Sequence, residues 1–133
     1  MNEPETIAKI LKECKTIAVV GLSDNPGRAS YGVAGYLMEK GYRIVPVNPS
    51  ITEWKGLKSY PDLKSVPEKI DVVDVFRKSE FVKPVMEDAI AIKAKAVWMQ
   101  EGVVDADAAK RAENAGLLVV MDMCMMKEHR KMR

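Results

Sequence analysis

The chain has 133 residues, of which 47% are hydrophobic and 30% charged, with a net charge of +2. That length suits a single domain over residues 1–133 that buries about two-thirds of its unfolded surface, and so small a charge argues against a nucleic-acid partner. No apolar stretch approaches the ~20 residues of a membrane span, the start Met1-Asn-Glu-Pro-Glu5 lacks the order of a signal peptide, and Cys14 and Cys124 have neither metal-site nor disulfide spacing. A cytoplasmic protein with no membrane partner and no metal is expected.

Ile7, Ile10, Leu11 and Cys14 share one helical face, which predicts an amphipathic helix over 4–14 with Cys14 as a small buried hydrophobe. Residues 16–20 are apolar on both faces, the pattern of a central parallel strand. A small polar loop follows, Gly21-Leu-Ser-Asp-Asn-Pro-Gly-Arg-Ala-Ser30. Ser30 suits an N-cap, and a helix through Val33, Ala34, Leu37 and Met38 ends at Gly41. Arg43–Val47 is the second strand, and Pro46 in it signals that a neighbour is missing or short on one side. Residues 48–69 read as a long connection with a turn of helix near Leu63.

The third strand is Asp71–Phe76, within which Asp74 is expected to pair with a nearby cation. A helix over 83–93 carries Pro84 in its first turn, and Ala96–Met99 is the fourth strand. Asp105 caps a helix ending at Gly116, Leu117–Met121 is the fifth strand, and 123–130 makes a short helix. The last seven residues hold four cations, Lys127, Arg130, Lys131 and Arg133, read as a solvated end with His129 among them. Strands alternating with helices predict an α/β fold, a Rossmann-like doubly wound five-stranded parallel sheet of order 3-2-1-4-5 with helices on both faces.

Ligands of such sheets bind beyond the carboxyl ends of the strands, where the strand order reverses. The first loop resembles a phosphate turn: a strand ends at a glycine, passes one cation and enters a helix whose positive end attracts an anion. It has neither the Gly-Lys-Ser/Thr of a Walker loop nor G-x-G-x-x-G spacing. Gly21, Ser23, Pro26, Arg28 and Ser30 are therefore candidates for a pyrophosphate. A valine at Gly21 is expected to block the ligand and leave the domain folded. Asn48-Pro49, Arg77-Lys78 and Gln100-Glu101-Gly102 follow strands two, three and four, and Asp122 and Cys124 follow strand five. An NAD site usually places an acid after the second strand, on the ribose 2′-hydroxyl. Neutral Asn48 with cations on neighbouring loops instead suits a ribose bearing an extra phosphate, as in NADP or coenzyme A.

Taken in order, Ala18–Ser23 with Pro26 and Ser30, Ile44–Pro49, Gly56–Pro61, Asp71–Arg77, Val97–Val103 and Asp122–Cys124 with His129 resemble the small prokaryotic CoA-binding-domain proteins. Their fold is shared with the CoA-binding part of succinyl-CoA synthetase α subunits and ADP-forming acyl-CoA synthetases. The resemblance implies a Rossmann-type domain that holds CoA or an acyl-CoA, and because the chain shows no convincing acid–base constellation, binding without catalysis is expected. Its pyrophosphate would lie on the first loop, its adenosine and 3′-phosphate beside Asn48, Pro49, Phe76, Arg77 and Lys78, and its pantetheine along Gln100, Glu101 and Gly102. The phosphohistidine domain that such synthetases use has no counterpart in these 133 residues. Two alternatives stay open. One is thiol–disulfide chemistry between Cys124 and CoA. The other is an NADP-binding reductase component, with Trp54 or Trp98 stacked on the nicotinamide. A protein partner that uses the Met-rich end is a further possibility.

Overall fold

A computed structural model describes residues 1–132; Arg133, the last cation of the basic end, lies outside the described residues. Its elements run α1 (Pro4–Glu13), β1 (Thr16–Val20), α2 (Ala29–Glu39), β2 (Arg43–Val47), β3 (Glu53–Trp54), β4 (Leu57–Lys58), β5 (Val72–Val75) and α3 (Val82–Ala91). They continue with β6 (Ala96–Met99), α4 (Ala106–Asn114), β7 (Leu118–Val120) and α5 (Met125–Arg130). The predicted strands and helices are all present, within a few residues of their expected ends. Asp105 caps α4, its carboxylate accepting the Ala108 N–H at 3.0 Å. None of the helices is long and apolar enough to cross a membrane, among the described residues.

The α/β class and the five-stranded parallel sheet hold, but the strand order differs from the expected 3-2-1-4-5. The sheet runs β2-β1-β5-β6-β7 with every neighbour parallel, which is 2-1-3-4-5 when its strands are numbered along the chain. Right-handed crossovers allow either order; burial and one proline decide between them. β5 is buried at all four residues and is flanked on both sides. β2 contains Pro46, whose carbonyl accepts the Tyr60 N–H at 3.0 Å on the side away from β1. The N–H that proline lacks would point to that same outer side, so Pro46 suits an edge strand. The connection over 48–69 also contains structure that its composition did not signal. β3 and β4 form a small antiparallel hairpin across Lys55 and Gly56, both with positive φ.

Side chains alternate across the sheet and build two apolar layers. Val73, Val75, Val97, Met99 and Val119 pack with α3 and α4. Ile17, Val19, Val72, Trp98 and Val120 pack with α1, α2 and α5. Asp74 falls in the second layer, in register with Val19 and Trp98. It is fully buried and, among the described residues, neither carboxylate oxygen has a hydrogen-bond partner, in place of the expected cation. Desolvation pushes its carboxyl well above the ordinary aspartate range. Its neighbour Asp71 occupies the strand start instead, where it accepts the Lys15 and Thr16 N–H groups at 2.8 and 3.1 Å and faces Lys95 at 3.8 Å.

Candidate functional site

With the order 2-1-3-4-5, the strand order reverses between β1 and β5, so a ligand crevice belongs beyond the ends of those two strands. A cleft of about 420 Å³ opens there. Its wall brings together Gly21, Ser23, Arg28 and Ser30 from the first loop with Phe76, Arg77 and Lys78 after β5. Gln100, Glu101 and Gly102 after β6 complete it, together with Cys124 before α5.

Three expected residues do not line the cleft. Pro26 and Pro49 are exposed on their loops. Asn48 is buried and spends its amide on structure: Nδ2 donates to the Leu22 carbonyl at 2.9 Å, and Oδ1 accepts the Ser50 N–H at 2.9 Å. Asn48 thus ties the loop after β1 to the loop after β2, and sets the shape of the first from behind.

The first loop handles its own donors in a way the sequence did not disclose. Ser30 is not the N-cap; it sits in the first turn of α2, 5% exposed, and its Oγ accepts the Ser23 N–H at 3.0 Å. Ser23 Oγ in turn accepts the Asn25 N–H at 3.0 Å, and Asn25 Oδ1 accepts the Gly27 N–H at 2.9 Å. Those N–H groups are therefore engaged within the loop. The N-cap position belongs to Arg28, whose side chain makes no capping bond. The N-terminal N–H groups of α2 have no side-chain partner among the described residues, and Ala29 and Ser30 line the cleft. Arg28, Arg77 and Lys78 form no ion pair among the described residues. An uncapped helix start beside three unneutralised cations suits a ligand with several phosphates.

The opposite wall is held by Asp122, which the sequence placed after the fifth strand, and by Ser79, which carried no such signal. Asp122 adopts a left-handed conformation, φ +62°, and its Oδ1 accepts the Gly102 N–H at 2.7 Å. Ser79 Oγ donates to the Gly102 carbonyl at 3.3 Å and accepts the Val104 N–H at 2.9 Å. The Gln100–Gly102 turn is thus gripped from two loops. Glu101, the one carboxylate on the cleft wall, reaches Lys127 at 3.0 Å.

Cys124 and Cys14 differ. Cys14 is 2% exposed in the core below α1, and burial pushes its thiol up to about 11. Cys124 is 5% exposed but lines the cleft. His129 forms no hydrogen bond with it among the described residues. The imidazole is half-buried, not solvated as expected; it packs against the rings of Tyr36 and Tyr42, and its Nδ1 meets the Tyr36 hydroxyl at 2.8 Å. Burial and the nearby Lys40 hold its pKa below the ordinary histidine value. Neither tryptophan lines the cleft. Trp98 is fully buried and donates to the Met123 carbonyl at 2.8 Å, and Trp54 is buried beside Tyr31. Core packing therefore takes both rings offered above for a nicotinamide.

Comparison with known proteins supplies a context for this geometry. A family model described as a CoA binding domain matches residues 15–130. The uncharacterized Bacillus subtilis protein YneT is 42% identical over 123 residues, covering 92% of this chain and 91% of that protein. The solved structure of a hypothetical protein from Pyrococcus horikoshii OT3 superposes with a TM-score of 0.93 at 43% identity, covering 97% of this chain and 91% of that one. The α subunit of ADP-forming acetate–CoA ligase II from Pyrococcus furiosus is 35% identical over 68 residues, which are 50% of this chain but 15% of the subunit.

Proposed function

The chain belongs to the CoA-binding domain family, and from that premise we propose that the cleft between β1 and β5 holds coenzyme A or an acyl-CoA, without catalysis by this chain. The observation that carries the reading is the convergence of an uncapped helix start, three unpaired cations and the Gln100–Gly102 turn on one cleft at the switch point. The pyrophosphate lies at the N-terminus of α2 beside Arg28. The adenosine and its 3′-phosphate lie against Phe76, Arg77 and Lys78. The pantetheine arm follows Gln100, Glu101 and Gly102 and brings its thiol towards Cys124. Non-catalytic binding accords with the cleft wall, whose single carboxylate is engaged by Lys127.

Arg28→Ala is the variant that tests the phosphate assignment. Arg28 is exposed and outside the core, so the fold survives its loss. Removal of a charge-assisted contact is expected to weaken CoA binding by ~1.5–3 kcal/mol, roughly ten- to a hundredfold by calorimetry. Unchanged affinity would take Arg28 out of the site.

One observation favours a second activity at the same place: Cys124 reaches the cleft wall, whereas Cys14 is sealed in the core. In a thiol–disulfide exchange the Cys124 thiolate attacks one sulfur of CoA disulfide. The S–S bond breaks, a Cys124–CoA mixed disulfide forms and CoA thiolate leaves. Because Cys14 is inert at neutral pH, a maleimide titration of the folded protein reads Cys124 alone. Reaction of one equivalent, slowed by CoA, is the expected result; no reaction would remove this activity and leave the binding reading intact.

A further inference from the structure

The cleft does not end at Cys124. A second groove of about 680 Å³ continues from it, and the two share Ala29, Val33, Glu101 and Cys124. The groove runs along the exposed side of α2, where a Cβ on Gly32 would meet nothing within 4 Å. Two cations stand on aromatic faces beside it. The Lys55 ammonium lies 5.2 Å from the centre of the Tyr31 ring, and the Arg130 guanidinium lies 5.1 Å from that of Tyr36. Neither has a carboxylate partner among the described residues, whereas the third cation of the groove, Lys127, is paired with Glu101. Glu39 is the other acid on the wall. A ring face positions a cation without neutralising it, so Lys55 and Arg130 remain available to an anion.

The junction between cleft and groove holds the second observation. Gln100 is 3% exposed and lines the cleft. Its Oε1 accepts the Met125 N–H at 3.1 Å, which orients the amide, and its Nε2 has no protein partner among the described residues. Met125 follows Cys124, so this donor, which opens on the cleft, stands beside the proposed position of the CoA sulfur. A donor oriented on the cleft wall can serve an acceptor on the ligand. A thioester carbonyl supplies a strong one at that point, and a free thiol only a weak one.

We infer that the ligand is an acyl-CoA whose acyl chain ends in a carboxylate. The inference rests on the CoA reading above and names the ligand class of that same site. The thioester carbonyl accepts from Gln100 Nε2, the chain follows the groove over Gly32, and the terminal carboxylate meets Arg130 and Lys55. An alkyl acyl group of the same length leaves both cations without a counter-charge.

Calorimetric titration of the full chain at low ionic strength with CoA, pentanoyl-CoA and glutaryl-CoA tests this. The two acyl groups have equal chain length and differ in the terminal carboxylate. Glutaryl-CoA is expected to bind about tenfold or more tightly than pentanoyl-CoA, as a charge-assisted contact implies. In Arg130→Ala and in Lys55→Ala, checked for an unchanged melting transition, that ratio falls towards one. Equal binding of the two acyl-CoAs, with CoA itself bound, would overturn the inference and leave the CoA reading standing. So would a ratio that survives both substitutions. Failure of all three ligands to bind would overturn the CoA reading together with the inference.

Discussion

Replacement of Gly21 by valine is expected to cost the fold itself, not only the ligand. Gly21 has φ +86°, and a Cβ built on it lies 2.2 Å from the Phe76 carbonyl oxygen. The atom it meets is backbone, and Gly21 and Phe76 directly follow the adjacent central strands β1 and β5. The Gly21 N–H donates to the Val47 carbonyl at 2.8 Å, and the Phe76 N–H donates to the Val20 carbonyl at 2.8 Å. Neither strand can yield without loss of these bonds, and the left-handed backbone adds strain for a β-branched residue. Even alanine is expected to destabilise by at least about 2–3 kcal/mol, and valine by more. Urea unfolding of Gly21→Ala checks this. A midpoint equal to that of the wild type would show that β1 and β5 separate freely at their ends. The expectation from the sequence, a folded domain with a blocked site, placed the steric demand of Gly21 on the ligand. The close neighbour is another strand.

Removal of the charge at Asp74 is expected to stabilise the protein, increasingly so as the pH rises. Burial without a partner raises the carboxyl pKa in the folded state, so folding takes up a proton wherever the unfolded chain has already released it. Below the unfolded aspartate value, near 3.8, both states are protonated and Asp74 imposes no titration cost. Above it, stability falls by about 1.4 kcal/mol per pH unit until the folded group also ionises. Asp74→Asn, close in shape, abolishes that titration, and Asp74→Val also removes the unpaired polar atoms beside Val19 and Trp98. Thermal unfolding between pH 4 and 9 should show each variant gaining on the wild type as the pH rises. Parallel profiles would mean that Asp74 has a partner in solution.

The sheet was legible because five short, largely apolar and largely buried runs alternate with helical patterns. Order was not, since crossover handedness alone admits several arrangements. Pro46 held the discriminating information: it argued for an edge strand, and in 3-2-1-4-5 its strand would have been interior. The β3–β4 hairpin escaped notice because two-residue strands have no periodicity to read. In the cleft, Arg77, Lys78 and Gln100 were legible as polar residues shortly after strands, and Arg28 as the one cation of the first loop. Asn48 looked the same in sequence yet turned inward to Leu22. The grip of Ser79 and Asp122 on Gly102 depends on loops brought together only by the fold. Asp74 was misread because a carboxylate within an apolar strand gives no sign of which layer it faces.

The central claim is that this cleft binds CoA through its phosphates. Calorimetric titration of the reduced protein with CoA, dephospho-CoA and NADPH in parallel tests it most directly. The account predicts that CoA binds, that dephospho-CoA binds more weakly for want of its contact with the Arg77 and Lys78 region, and that NADPH does not compete. Binding of NADPH alone would contradict it, and would return the cleft to a reductase component.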